Sequence, residues 1–122
     1  MPPNAAQRDL RAYNLRKLIE SGVKIVSGSD AGMSFTEFDE FQLDLEHLVE
    51  FVGFSPADAI VTATGRAAEA IGTDEFGVLA AGKRADILGV NGNALEQIEQ
   101  LRDIALVLKS GQPVIGELPT VA

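Results

Sequence analysis

Apolar side chains recur at helical spacing over residues 7–21. Leu10, Tyr13, Leu15, Leu18 and Ile19 alternate there with charged and amide positions, and Gly22 supplies a stop. Val23-Lys24-Ile25-Val26 follows, a short run rich in β-branched residues that predicts a strand. It opens into Ser27-Gly28-Ser29-Asp30-Ala31-Gly32, a loop of small residues. A second helix is expected from about Ser34. Ser34 and Glu37 have capping-box spacing, Met33 and Phe38 sit where a hydrophobic staple closes, and Phe38, Phe41, Leu45, Leu48, Val49 and Val52 form one stripe ending at Gly53. A third helix opens with Ser55 as cap, Pro56 at the first helical position and Asp58 three residues on. Ala57, Ile60, Val61, Thr64 and Ala68 are its expected inner face, with Gly65 splitting the run and Thr64 recapping a short helix to Gly72.

The period changes after residue 75. Gly77-Val78-Leu79 and Asp86-Ile87-Leu88-Gly89-Val90 read as strands around a Gly82-Lys83-Arg84 turn, and Asn91-Gly92-Asn93 is turn chemistry. Leu95, Ile98 and Leu101 suggest a helical turn or two. Ile104–Lys109 is a strand, turning at Ser110-Gly111-Gln112-Pro113 into Val114-Ile115. The pattern is thus α/β over residues 1–75 and β-rich over 76–122, with no internal repeat.

Length and composition narrow this picture. At 122 residues the chain is one domain or part of a larger one, and is too short for a complete eight-stranded α/β barrel. It has no Cys and one His, His47, which excludes a disulfide and any zinc site built from Cys or several His of one chain. Ten Lys and Arg against 18 Asp and Glu give a net charge of −8. That argues against nucleic acid and against an anionic membrane surface as partners. No apolar run approaches a membrane span and the first residues lack a signal-peptide stretch, so the expected location is the cytoplasm. Charge is segregated. Residues 1–24 hold five bases and two acids, and residues 25–65 hold eight acids and no Lys or Arg. The two stretches are suited to attract each other within one chain or between two.

Asp30 is the sharpest candidate for chemistry. A carboxylate among Gly, Ser and Ala at the C-terminal end of an apolar strand stands where α/β folds place their sites, with room for a metal, a water or a substrate. The competing reading is an Asp that caps the turn or the next helix, and spacing alone favours that reading. Asp39, Glu40 and Asp44 offer oxygen ligands, but they lie on an apolar-striped helix rather than a Gly-bent calcium loop, so a solvated face is the better reading. His47 lies among the polar positions of that helix and reads as a surface or interface residue. Residues 28–32 lack the Lys and spacing of a phosphate loop, and Ser27-Gly28-Ser29 is no nucleophile elbow.

Taken together, Gly22-Val23-Lys24-Ile25-Val26-Ser27-Gly28-Ser29-Asp30-Ala31-Gly32, Phe54-Ser55-Pro56-Ala57-Asp58-Ala59-Ile60, Ala63-Thr64 with Ala67–Gly72, and Gly77–Leu88 resemble the C-terminal portion of metal-dependent amidohydrolases. The nearest flavour is the imidazolonepropionase-like and Xaa-Pro dipeptidase-like branch, and the resemblance runs over roughly residues 10–115. It implies the last helix–strand–helix units of an (α/β)8 barrel, followed by strands of a composite β-sandwich, but not a complete barrel. It implies that Val23–Ser29 is the last barrel strand. It implies that Asp30 is the strand-eight aspartate, a ligand of a divalent metal (zinc foremost) and the acceptor of the attacking water's proton. Gly82, Lys83 and Asp86 become structural positions of a turn and strand. Two departures stand out. The H-x-H pair, the carboxylated Lys or acid, and the further His ligands of the family have no counterpart here. Phe35-Thr36-Glu37-Phe38 replaces the His-Gly that often follows the strand-eight Asp, while Ser29 for Thr is a mild change.

The resemblance therefore implies a fragment of a hydrolase of amide-type C–N bonds, acting through metal-activated water on a small molecule only in the full-length context. On its own, the chain is expected to hold no metal stably, because catalytic zinc needs about three protein ligands. The alternatives are a non-enzymatic truncated domain that folds by self-association, or an interaction module that uses its acidic helix. A homo-oligomer is the expected state.

Overall fold

The computed structural model describes residues 4–33, 37–118 and 120. Helix α1 (Ala5–Glu20) starts two residues earlier than the apolar spacing suggests, because Asn4 closes a reciprocal cap. The Asn4 Oδ1 accepts the Gln7 N–H at 3.0 Å, and the Gln7 Oε1 accepts the Asn4 N–H at 3.1 Å. The apolar positions of α1 divide between two sides. Ala12 is buried, with Leu15 and Ile19 packed beside it, while Leu10, Tyr13 and Leu18 are exposed.

The expected strand at Val23–Ser29 does not form. Residues 23–30 form no regular element and join no ladder, because no strand of the described residues lies alongside. Helices hold the segment instead. The Ser27 N–H donates to the Thr62 carbonyl at 3.2 Å, and the Arg66 Nη1 donates to the Ile25 carbonyl at 3.5 Å.

The second helix also differs. The Ser34 cap lies outside the described residues. Residues 37–40 form a turn closed by the Glu40 carboxylate, which accepts the Glu37 N–H at 3.4 Å, so α2 begins only at Phe41 and runs to His47. Phe38 thus leaves the stripe. It is 83% exposed, and its ring lies over the bare Gly32. Leu45, Leu48 and Val52 are buried as expected. The last turn, Leu48–Val52, widens to π geometry before Gly53 stops it. A widened turn leaves carbonyls free, and the Arg16 Nη1 of α1 donates to that of Phe51 at 2.6 Å.

Helix α3 (Pro56–Ala63) is capped by Ser55, whose Oγ accepts the Asp58 N–H at 3.1 Å. Its buried face is Ala59 and Thr62. Ala57, Val61 and Thr64 are exposed, because Thr62 finds a polar partner in the segment packed against it. Helix α4 (Gly65–Ala70) follows without a Thr64 cap, since the Thr64 hydroxyl bonds back to the Ile60 carbonyl at 2.8 Å. Gly77-Val78-Leu79 is not a strand. Gly77 adopts φ +96° so close to α4 that a Cβ there would stand 2.6 Å from that of Ala68.

Three antiparallel strands make the sheet: β1 (Ile87–Val90), β2 (Ile104–Lys109) and β3 (Gln112–Ile115), in that order. Ser110 and Gly111, at φ +50° and +79°, form the two-residue turn that the right-handed strand twist favours. Pro113 is tolerated because β3 is an edge strand. A 3₁₀ turn at Ile98–Arg102 precedes β2 and inserts Ile98, 3% exposed, among Ala12, Leu45, Leu48, Val52 and Ala59. Arg102 reinforces the junction, with Nε and Nη2 on the two Glu46 carboxylate oxygens at 2.6 and 2.5 Å. No helix of the described residues is long and apolar enough to cross a membrane.

Candidate functional site

Asp30 stands at the end of this irregular segment with φ +50°. That left-handed conformation suits a short polar side chain better than a branched one. The Ser29 Oγ accepts the Ala31 N–H at 3.3 Å, and Gly32 at φ +94° completes the tight turn. Asp30 is exposed and, among the described residues, caps no helix and accepts no hydrogen bond. The capping reading of this residue therefore finds no support in the described structure, since Glu40 is the residue before α2.

What holds the segment in place is a short hydroxyl chain. The Thr62 Oγ1, fully buried, donates to the Ala59 carbonyl at 2.6 Å. Its one proton is thereby used, so the Ser27 Oγ, 2.5 Å away, is the donor to Thr62. Sequence reasoning passed over Thr62. The available signal was a hydroxyl three residues from Ala59 inside an otherwise apolar helical run.

An open groove of about 590 Å³ lies beside the segment, between α1 and α2. Its polar groups are Arg8 and Arg11 of α1, Ser27, Gly28, and Asp44 and His47 of α2. Asp30 is not among its lining residues. Asp44, expected on a solvated face, turns inward instead. Its Oδ2 is buried and accepts no hydrogen bond among the described residues. Burial raises the Asp44 carboxyl above its ordinary value, and the nearby His47 partly offsets this. His47 is exposed, as expected, and its ring lies 5.4 Å from that of Phe51.

The described residues do not by themselves make up a metal site. Asp30 offers one hard oxygen donor, and among the described residues no three His, Cys, Asp or Glu side chains converge on a common point. Asp39, Glu40 and Asp44 form no such group.

Comparison with known proteins finds relatives over most of the chain. Residues 9–114 match the Amidohydrolase family. The chain is 35% identical over 83 residues to the imidazolonepropionase of Deinococcus radiodurans, a match covering 68% of this chain and 21% of that protein. It superposes on a Bifidobacterium longum protein assigned as a prolidase with a TM-score of 0.81 and 38% identity, covering 89% of this chain and 28% of the other. It also superposes on a Xaa-Pro dipeptidase solved with methionine in its active site, with a TM-score of 0.79 and 33% identity, covering 86% and 25%. The chain thus spans about a fifth of the length of the curated relative and about a quarter of the length of the solved ones. Its helices and small open sheet are a partial α/β piece of the barrel architecture, and the chain belongs to the amidohydrolase family.

Proposed function

We propose that this chain is the part of a metal-dependent C–N-bond hydrolase that contributes Asp30 to the reaction centre, and that it does not turn over substrate alone. The observation that carries this is the placement of Asp30, exposed and unpartnered among the described residues, at the end of a segment pinned by Thr62 and Arg66. In the completed site Asp30 is the oxygen ligand and the proton acceptor that this chain supplies. A bound divalent metal, zinc foremost, would activate the attacking water. The remaining ligands lie outside the residues described.

The reading of amide-type bonds draws support from relatives named as an imidazolonepropionase and a Xaa-Pro dipeptidase. The test takes the purified chain, dialysed against zinc and then against buffer. Elemental analysis is expected to find well under one zinc per chain, with no hydrolysis of Xaa-Pro dipeptides, N-acyl amino acids or lactones. Chelator-sensitive turnover that disappears in Asp30→Asn would overturn the inactivity. The positive half needs a chimera in which this chain replaces the segment of the Bifidobacterium longum protein on which it superposes, 28% of that protein. Its zinc content is expected to fall in Asp30→Asn, and unchanged zinc would remove Asp30 from the centre.

A further inference from the structure

Helix α1 is apolar on two opposite sides. Ala12, Leu15 and Ile19 face the core, whereas Leu10, Tyr13 and Leu18 remain 60%, 52% and 49% exposed on the other side. Half of its sixteen residues are polar, and the apolar half lies on both sides instead of in one stripe, so Leu10, Tyr13 and Leu18 face no second layer among the described residues. The outer face is also ordered along its length. Residues four apart line up on a helix surface, so Asp9, Tyr13 and Lys17 form one ridge and Leu10, Asn14 and Leu18 the next. Each ridge is centred at position 13 or 14, and the first carries opposite charges at equal distances from Tyr13.

Such a pattern is self-complementary under a two-fold axis. We propose that α1 is the contact between two copies of this chain, crossing antiparallel at Tyr13 so that Asp9 of each copy meets the partner's Lys17. The same crossing brings Leu10 beside the partner's Leu18. The other bases of the helix do not oppose it. Arg8 sits 4.4 Å from the Phe51 ring, Arg16 is bonded to the Phe51 carbonyl, and Arg11 lines the groove beside α2. Among the described residues Lys17 is engaged within its own helix, with Glu20 at 2.7 Å and the Tyr13 ring at 5.7 Å. That exposed pair is worth little and yields readily to a contact across the axis. A sixteen-residue helix is about 24 Å long, so this interface is small and a weak dimer is expected. The inference does not depend on the role assigned to Asp30.

Sedimentation equilibrium of the 122-residue chain, with far-UV circular dichroism as the check on folding, tests this. The expected result is a monomer–dimer equilibrium in the micromolar range. Tyr13→Glu is expected to give a monomer of unchanged helicity. Asp9→Lys and Lys17→Asp are each expected to weaken dimerisation about three- to tenfold, and the double variant to restore it to within about twofold. A folded monomer at tens of micromolar would overturn the proposal and leave this face to a different polypeptide. So would charge-swap losses that simply add, or a dimer indifferent to Tyr13→Glu.

Discussion

Thr62 has one hydroxyl proton, and two neighbours define how it is used. Ala59 takes the proton on its carbonyl, and Ser27 then has to donate to the Thr62 oxygen. Two segments 35 positions apart are joined by that arrangement, three residues before the carboxylate on which the proposed chemistry rests. Thr62→Val keeps the shape and removes the acceptor, leaving the half-buried Ser27 hydroxyl unpaired, at a cost of about 1–3 kcal/mol. Hydrogen exchange is expected to accelerate at the amides of residues 24–30 more than in the sheet. Unchanged stability with unchanged exchange would mean that the hydroxyl pair holds nothing. At this scale the sequence singled out Asp30, because a lone carboxylate among small residues is conspicuous, and the structure leaves it exposed. Thr62 and Asp44 were not legible. A hydroxyl in an apolar stripe and an acid in an acidic helix acquire meaning only when Ser27 or the groove comes to lie beside them.

Among elements, those closed by local chemistry were readable and those closed by distant partners were not. Ser55-Pro56 starts its helix where expected, and the hairpin expected to turn over Ser110–Pro113 closes in two residues, Ser110-Gly111, with Gln112 and Pro113 already in β3. Val23–Ser29 has the β-branched content of a strand but needs a neighbour at hydrogen-bonding distance, and the described residues provide none. The start of α2 slipped from about Ser34 to Phe41 because the Glu40 carboxylate closes a turn that capping-box spacing does not anticipate. The hairpin is further secured by Asp86, whose carboxylate accepts the Ser110 N–H, the Lys109 Nζ and the Arg84 Nε, each at 2.9 Å. Those donors, the Ser110 amide foremost, lower its pKa to about 2 from an ordinary 3.8. A depressed acid stabilises the fold fully above its unfolded value, and the contribution fades as pH falls from about 3.8 to about 2. Asp86→Asn is therefore expected to lower the urea midpoint at pH 7, and the gap between variant and natural chain to close as pH approaches 2. A gap of equal size at both ends of that window would show that geometry, not charge, is what the carboxylate supplies.

The whole molecule is bound together by a side chain that neither half would suggest alone. The change of period after residue 75 divides the chain into a helical part and a β-rich part, yet Ile98 from the second is buried among Ala12, Leu45, Leu48, Val52 and Ala59 from the first. Leu101 packs against the same cluster, and Arg102 clamps Glu46 of α2 with two hydrogen bonds. The sheet offers little independent support, since every residue of β3 is exposed and Leu108 is the one buried hydrophobic of the three strands. A three-stranded sheet with so small a covered face is marginal by itself, whereas a shared core makes its unfolding cooperative with that of the helices. One transition is therefore expected. Tyr13, the single tyrosine, reports on α1 by its fluorescence, and the amide signals of residues 87–115 report on the sheet. The two midpoints in urea should coincide. Ile98→Ala should lower both together, by about 2–5 kcal/mol for a truncated buried isoleucine. If the sheet signals were lost first while Tyr13 kept its original midpoint, the 3₁₀ turn would be a tether rather than part of the core, and the two segments would be separate folding units.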